Sequence, residues 1–349
     1  MSLSEYLQQK NEKENAVFPK KLCYFTGIFA FCIYGLFFQM AQAAPFRVLV
    51  VMSYEEKFLW NREIRQSIDS LLTGTCEIRY FYMNTQLNQD DSEQKAQEAY
   101  MLYQKFQPDG VIAVDDNAQS MFVVPYLRNK VRTPVMFCGV RAEPETYEYP
   151  ASNVSGILRR PHFNRSIIFA QQLIPSVRAI GFIMRDGHQA MTLRNQVLSE
   201  SDTYPAKSVA FKMPKTLREA VAMTKTLRKQ CDLLFIGNFN GIPGDDGKPL
   251  AQKQVVKILV KAFDKPTFGS RLADITYGIL FAIVERGQVQ GRMAAKMLLK
   301  AMQGTSVSKI PVTRSRRGER VLNVTAMKAL GVIPQPEALL GTELVKTEE

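Results

Sequence analysis

The chain has 349 residues, 46% of them hydrophobic, and its 45 basic and 33 acidic residues give a formal net charge of +12. Such an excess can indicate a nucleic-acid partner, but the basic residues are spread over many predicted helix faces, so we expect none. The one basic cluster, at Arg314, Arg316, Arg317 and Arg320, falls in a predicted loop and is typical of a solvated charge run.

The N-terminus has the three parts of a secretory signal peptide. Lys20 and Lys21 precede an uncharged apolar run at residues 22–40, and the small-residue sequence AQA follows at 41–43. We predict cleavage after Ala43; an uncleaved anchor is the alternative, because the run approaches the ~20 residues that span a bilayer. Either way, we expect the rest of the chain in the periplasm, as a monomer that meets the membrane only through this segment.

Strands and helices alternate along the rest of the chain. In the first half, strands are predicted at 46–52, 77–82, 110–114 and 134–138, and helices at 58–72, 91–106 and 117–129. In the second half, strands are predicted at 178–184, 206–212 and 232–236, and helices at 163–173, 188–200, 215–229, 249–262 and 286–303. Alternation of this kind favours parallel sheets covered by helices on both faces.

Two apolar runs, FRVLVVM at 46–52 and AIGFIM at 179–184, each resemble the first strand of an α/β lobe. The sequence therefore predicts an α/β fold of two Rossmann-like lobes joined by a hinge with several crossings, near 153–159 and 269–277. We expect an N-terminal lobe at 44–155 plus about 275–310, and a C-terminal lobe with the hinge at 156–274 plus about 311–349. This is the architecture of a protein that closes on a small solute.

A ligand of such a fold binds beyond the carboxyl ends of the parallel strands, where helix N-termini offer free N–H groups. Residues that follow predicted strands in this way are the polar or small side chains Ser53, Tyr54, Asn117, Gly139 and Asn238. We predict that they line the ligand cleft.

Charged residues stand at the same strand ends. Asp115 and Asp116 follow the run VIAV; either could cap the next helix, or bind an amine or hydroxyl of the ligand. Arg185 and Arg271 could bind a carboxylate or phosphate through two parallel hydrogen bonds, or be ordinary surface charges.

Two ring side chains complete the candidate site. Trp60, the only tryptophan, could form an aromatic wall with Tyr54 or pack in the core. His188 could bond a ligand, although a surface histidine at a helix start is the plainer interpretation.

Motifs for catalysis and metal binding are absent from the sequence. The glycine-rich loop at 237–249 lacks the spacing of a phosphate loop, and neither G-x-S-x-G nor H-E-x-x-H occurs. The three cysteines beyond residue 43, Cys76, Cys138 and Cys231, show no metal-ligand spacing. We therefore expect no catalytic residues and no metal.

The segment VLVVMSY at 48–54, with Trp60 and Ile64 behind it, resembles the opening of the ABC transporter substrate-binding protein family of the tryptophan/tyrosine type. Five further segments resemble the family in the same order, at residues 115–118, 134–140, 153–157, 290–295 and 323–331.

The resemblance implies a type I periplasmic-binding-protein fold, a small solute in the cleft, no catalytic residues and no cofactor. It implies an ABC permease as partner. Members with this opening also resemble the input domains of membrane kinases and cyclases, so a sensor that signals to a separate membrane protein is the alternative.

Overall fold

Two sheets organise the part of the chain that the computed structural model describes, which is residues 45–85 and 91–348. The predicted signal segment at 1–43 lies outside the described residues. Both sheets belong to one compact unit that begins at Phe46, and their central strands are buried because helices cover both faces.

The first sheet has six strands, all parallel, in the order β13-β5-β4-β3-β1-β2. Its strands are β1 (Phe46–Met52), β2 (Cys76–Tyr82), β3 (Gly110–Val114), β4 (Val135–Val140), β5 (Val154–Leu158) and, far along the chain, β13 (Thr313–Arg314). The segment expected to be a crossing at 153–159 is thus mostly a strand.

The first sheet is covered by α1 (Leu59–Leu72), α2 (Ser92–Phe106), α3 (Asp115–Ala118) and α9 (Gly287–Met302), with 3₁₀ turns at Pro144–Tyr147 and Val307–Lys309. Helix α3 continues as a π-helical segment, Gln119–Leu127, where a single α-helix over 117–129 was predicted. Pro125 lies inside this segment and has no N–H to donate. At the end of the segment, the N–H of Arg128 donates to the carbonyl of Val123, five residues back, at 2.8 Å.

The second sheet has seven strands in the order β15-β14-β12-β11-β8-β6-β7, and only the β12–β14 pair is antiparallel. Its strands are β6 (Ala179–Ile183), β7 (Lys207–Lys212), β8 (Leu233–Ile236), β11 (Thr267–Gly269), β12 (Phe281–Val284), β14 (Glu319–Asn323) and β15 (Thr342–Val345).

The helices around this sheet are α4 (Phe163–Leu173), α5 (His188–Glu200), α6 (Leu217–Gln230), α7 (Gln252–Phe263), α8 (Leu272–Thr276), α10 (Val324–Ala329) and α11 (Pro336–Leu339), with a 3₁₀ turn at Ser201–Thr203. Helix α7 starts three residues later than predicted. Its expected first residues form β10 (Pro249–Leu250), which pairs antiparallel with β9 (Ile242–Pro243).

The chain crosses between the sheets three times, at residues 159–162, 285–286 and 315–318. The second crossing lies later than the expected position at 269–277, because that segment is β11 and α8 of the second sheet. Phe281–Val284 is a fully buried strand of the same sheet, although the expected limits grouped 275–310 with the first lobe. Three short crossings make a hinge rather than a flexible tether.

Each sheet has its own hydrophobic cores. The second sheet is built around interlocking phenylalanine rings: Phe235 packs edge-on against Phe163 with centroids 5.0 Å apart, and against Phe268 at 5.3 Å. Both distances suit attractive aromatic pairs. The clusters of buried apolar residues around one sheet share no member with those around the other. Each sheet with its helices therefore forms a lobe.

Candidate functional site

A cavity of about 380 Å³ lies at the carboxyl ends of the strands of both sheets, a size typical of small-molecule sites. Its first-lobe wall includes Tyr54, Asp116, Asn117, Arg141 and Tyr147; its second-lobe wall includes His188, Phe235, Asn238, Ser270 and Arg271; the crossings add Arg159, Arg160, His162 and Glu285. Both lobes and two of the crossings therefore contribute to one site.

Six of the eleven predicted site residues line this cavity: Tyr54, Asp116, Asn117, His188, Asn238 and Arg271. The other five, Ser53, Trp60, Asp115, Gly139 and Arg185, do not. The contacts of these five residues explain why they lie outside the cavity lining.

Ser53 supports the wall from behind. Its hydroxyl donates to the carbonyl of Val114 at 2.6 Å and accepts from the N–H of Ala118 at 2.8 Å, so it ties the end of β1 to the end of β3 and to α3. The carbonyl of Ser53 accepts from the hydroxyl of Thr85 at 2.8 Å, and that hydroxyl accepts from the amide of Asn117 at 2.7 Å. This chain of bonds fixes Asn117 at the cavity.

Asp115, Trp60 and Gly139 form a buried cluster behind the same wall. The indole N–H of Trp60 lies 3.2 Å from both carboxylate oxygens of Asp115. A Cβ on Gly139 would come within 2.5 Å of Asp115 Oδ1, and Gly139 has φ +76°, so only glycine fits there. Burial raises the pKa of Asp115 to about 7, against the attraction of Arg159 and Arg141.

We predict that Asp115→Asn makes the protein more stable at pH 8. Because the carboxyl has a higher pKa when folded than when unfolded, stability falls as the pH rises from about 4 to 7, and on the order of 3 kcal/mol is lost. Asparagine avoids this loss and accepts the left-handed backbone at this position, φ +66°. Urea denaturation between pH 4 and 8 measures the effect.

Asp202→Asn is the matched control, since Asp202 is exposed and should keep the wild-type pH dependence. If the free energy of unfolding had the same pH dependence in wild type and in Asp115→Asn, the prediction would be contradicted.

Asp116 lines the cavity, yet its carboxylate is engaged by its own lobe. It accepts from the N–H groups of Arg141 and Ala142, both at 3.1 Å, and from the hydroxyl of Tyr147 at 3.0 Å. Asp116 therefore shapes the loop after β4 and presents Arg141.

The second-lobe wall is fixed through Arg271. Its guanidinium binds Asp274 through two bonds of 2.8 and 2.7 Å. Asp274 in turn accepts from the amide of Gln252 at 3.0 Å, and the same amide donates to the carbonyl of Gly237 at 3.0 Å. The loops after β8 and β11 are thus linked beneath the cavity floor.

Arg185 and His188 stand near the edge of this wall. Arg185 donates to the carbonyl of Asn240 at 2.6 Å and lies outside the cavity. His188 is exposed at the start of α5 and reaches the cavity from its rim.

Arg160 at the first crossing is 7% exposed. It donates to the carbonyls of Arg141 at 2.8 Å and Ala142 at 3.0 Å, and pairs with Glu143 at 2.9 Å. The crossing is therefore locked to the loop after β4.

The predicted site residues did not include Arg141, Arg159, Arg160 and Glu285, which also line the cavity. Arg159 and Arg160 directly follow β5, so the strand-end rule would have selected them had residues 154–158 been recognised as a strand. Glu285 follows β12 in the same way.

The described residues 45–85 and 91–348 include neither a candidate metal cluster nor a membrane-spanning helix. No group of three or more histidine, cysteine or acidic residues is placed there to hold a metal ion. Cys76, Cys138 and Cys231 are free thiols. No helix in this part of the chain is long and apolar enough to cross a bilayer.

Solved structures share the fold over most of the chain. A ligand-free, open substrate-binding protein with adhesive properties from Clostridium difficile is 15% identical, with a TM-score of 0.69 over 87% of this chain and 100% of that chain. An ABC domain in complex with L-Trp from Streptococcus pneumonia is 14% identical, with a TM-score of 0.58 over 86% and 100%. No curated protein matches the chain.

The sheets, their crossings and the shared cavity define a two-lobed, type I periplasmic-binding-protein-like protein, which confirms the predicted fold class. A family model described as "ABC transporter substrate binding protein" matches residues 125–344. The chain belongs to this family, as its sequence motifs suggested.

Proposed function

We propose that the protein is an extracytoplasmic receptor that closes on a small polar solute, an amino acid or related metabolite, and delivers it to an ABC importer. The observation that carries the proposal is a cavity to which both lobes contribute polar side chains. A solute there touches both lobes only when they are closed, so binding shifts the population toward the closed form.

We propose that Tyr54 and Asn117 of the first lobe and Asn238 and Arg271 of the second contact the solute. We also propose lobe limits that follow the sheets: a first lobe at 46–158 and 287–314, and a second at 163–284 and 319–348. The crossings between these ranges then act as the hinge.

The family supports an extracytoplasmic location and an ABC permease as partner, and the predicted signal segment agrees with both. Neither the cavity nor the fold favours the sensor alternative. Micromolar affinity needs about 8 kcal/mol, which several charge-assisted hydrogen bonds and lobe closure can supply.

Thermal denaturation against a panel of polar metabolites tests solute binding. A solute at 100 times its Kd stabilises a protein by about 2.7 kcal/mol, which we expect to raise Tm by roughly 4–5 °C. Ser270→Trp should abolish this shift, because the indole fills the cavity.

Ser308→Trp is the control, since Ser308 is exposed and outside the cavity lining. A shift of equal size in wild type and Ser270→Trp would place the solute elsewhere. No shift with any metabolite would oppose the receptor function itself.

Delivery is tested separately by uptake. Cells that lack the gene should lose uptake of the identified solute, and wild type, but not Ser270→Trp, should restore it. Uptake that is independent of the gene would argue against delivery while leaving binding intact.

A further inference from the structure

Arg141 and Arg159 are two cationic side chains that line the cavity without a partner for their guanidinium groups. Both are half-buried, and among residues 45–85 and 91–348 neither guanidinium makes a hydrogen bond or an ion pair. The guanidinium of Arg159 lies over the Trp60 ring, 3.8 Å from its centroid. Arg141 is held through its backbone, whose N–H donates to Asp116 and whose carbonyl accepts from Arg160.

The other two arginines of the cavity are different. Arg160 is satisfied by carbonyl groups and Glu143, and Arg271 by Asp274. A buried or half-buried guanidinium usually has such partners, so Arg141 and Arg159 are set apart by their environment rather than by their residue type.

The acids near the cavity, among the described residues, attract the two guanidiniums but form no hydrogen bond or ion pair with either. Asp116 already accepts three hydrogen bonds from its own loop, and Asp115 faces Trp60 behind the wall. Glu285 accepts from the amide of Gln290 at 2.6 Å, and burial raises its pKa to about 7.

The two arginines also oppose each other. Burial first, and then the charge of Arg141, lowers the pKa of Arg159 to about 9. An anion that binds both groups would remove this repulsion and supply acceptors for both guanidiniums, each of which can bind a carboxylate or phosphoryl group through two bonds.

We propose that the solute is an anion whose carboxylate or phosphoryl group is bound jointly by Arg141 and Arg159. This proposal rests on the receptor function proposed above and specifies its ligand class. Arg141 follows β4 and Arg159 follows β5, so the anion binds at the carboxyl edge of the first sheet, and the second lobe closes over the remainder of the solute.

Calorimetry and thermal denaturation in low-chloride buffer test the proposal with inorganic phosphate, methylphosphonate, succinate and L-glutamate. Succinamide and neutral sugars serve as uncharged probes. We expect at least one anion to bind wild type, and the identity of that anion distinguishes a phosphoryl ligand from a carboxylate.

Arg141→Gln and Arg159→Gln should each weaken this binding about 10- to 100-fold, which is the usual effect of losing a hydrogen bond to a charged group. The double variant should show no detectable binding. Arg159→Lys keeps the charge but loses the paired geometry, so its loss should be smaller than that of Arg159→Gln. Arg62→Gln is the control, because Arg62 is exposed on α1 and outside the cavity lining.

Unliganded melting curves establish that each variant is folded, and Arg159→Lys provides a second test if a glutamine variant is not. Equal anion affinity in wild type and the double variant would overturn the proposal, as would binding of uncharged probes alone. That second result would leave the receptor function standing, whereas a wild type that binds no probe of either kind would count against both.

Discussion

Replacing Gly291 by alanine is expected to lower the free energy of unfolding by roughly 1–2 kcal/mol. Helix propensity alone predicts the opposite sign, since alanine is favoured over glycine by about 1 kcal/mol inside a helix. The steric cost of the contact with α1 is larger than this gain. A Cβ at Gly291 would lie 2.4 Å from the Ser67 hydroxyl and 2.6 Å from the Ile64 carbonyl. Because one of these atoms is backbone, the helices must separate, which costs about 1–3 kcal/mol or more.

Urea denaturation measures this change. Gly244→Ala is the matched control, because a Cβ at Gly244 would meet only side-chain atoms, the Asp246 carboxylate at 3.3 Å and the Leu250 methyl groups at 3.4 Å, and we expect a change within about 0.5 kcal/mol. A Gly291→Ala protein as stable as wild type would mean that α1 and α9 are not in close contact.

Arg286→Ala is expected to cost about 2 kcal/mol and to loosen the hinge. Arg286 lies in the second crossing and binds Glu319 and Glu343 of the second lobe, both at 2.6 Å, and Glu63 of α1 at 3.8 Å. The side chain of Glu63 is only 10% exposed, so it would lose its nearby cation in a poorly solvated place. Glu319 and Glu343 are half exposed and contribute less.

Arg286→Lys should recover only part of this stability, because an ammonium group keeps the charge but cannot bind three carboxylates in the geometry of a guanidinium. Arg228→Ala removes a pair whose members are 49% and 65% exposed and should change stability by less than about 0.5 kcal/mol. A loss in Arg286→Ala no larger than in Arg228→Ala would contradict the bridging role. Urea denaturation again provides the measurement.

The regular elements could be predicted where one residue pattern sets them. Helices α4 and α5 have the predicted bounds, and α4 buries Ile167, Ala170 and Leu173 at helical spacing. Strand β5 was not predicted, because Ser155 and Gly156 are residues typical of a turn. In the structure, the hydroxyl of Ser155 donates to the carbonyl of Ile310 at 2.6 Å, and a Cβ at Gly156 would meet the Phe137 carbonyl at 2.4 Å. These tertiary contacts explain polar and small residues in a buried strand.

The cavity could be predicted only in part for a related reason. The rule of strand ends selects loops, but it does not say which side chain faces the cleft. Asp115 and Asp116 are neighbours in sequence, yet the left-handed backbone at Asp115 directs its carboxylate toward Trp60. Arg141 and Arg159 meet only because β4 and β5 are adjacent strands, a relation that local sequence does not contain.

A crystal structure of the protein with the solute that the binding screen identifies tests the central claim most directly. The account predicts density for the solute in contact with Arg141 and Arg159 on the first-lobe side and with Asn238 or Arg271 of the second lobe. Density outside the cavity, or contacts with one lobe only, would contradict it.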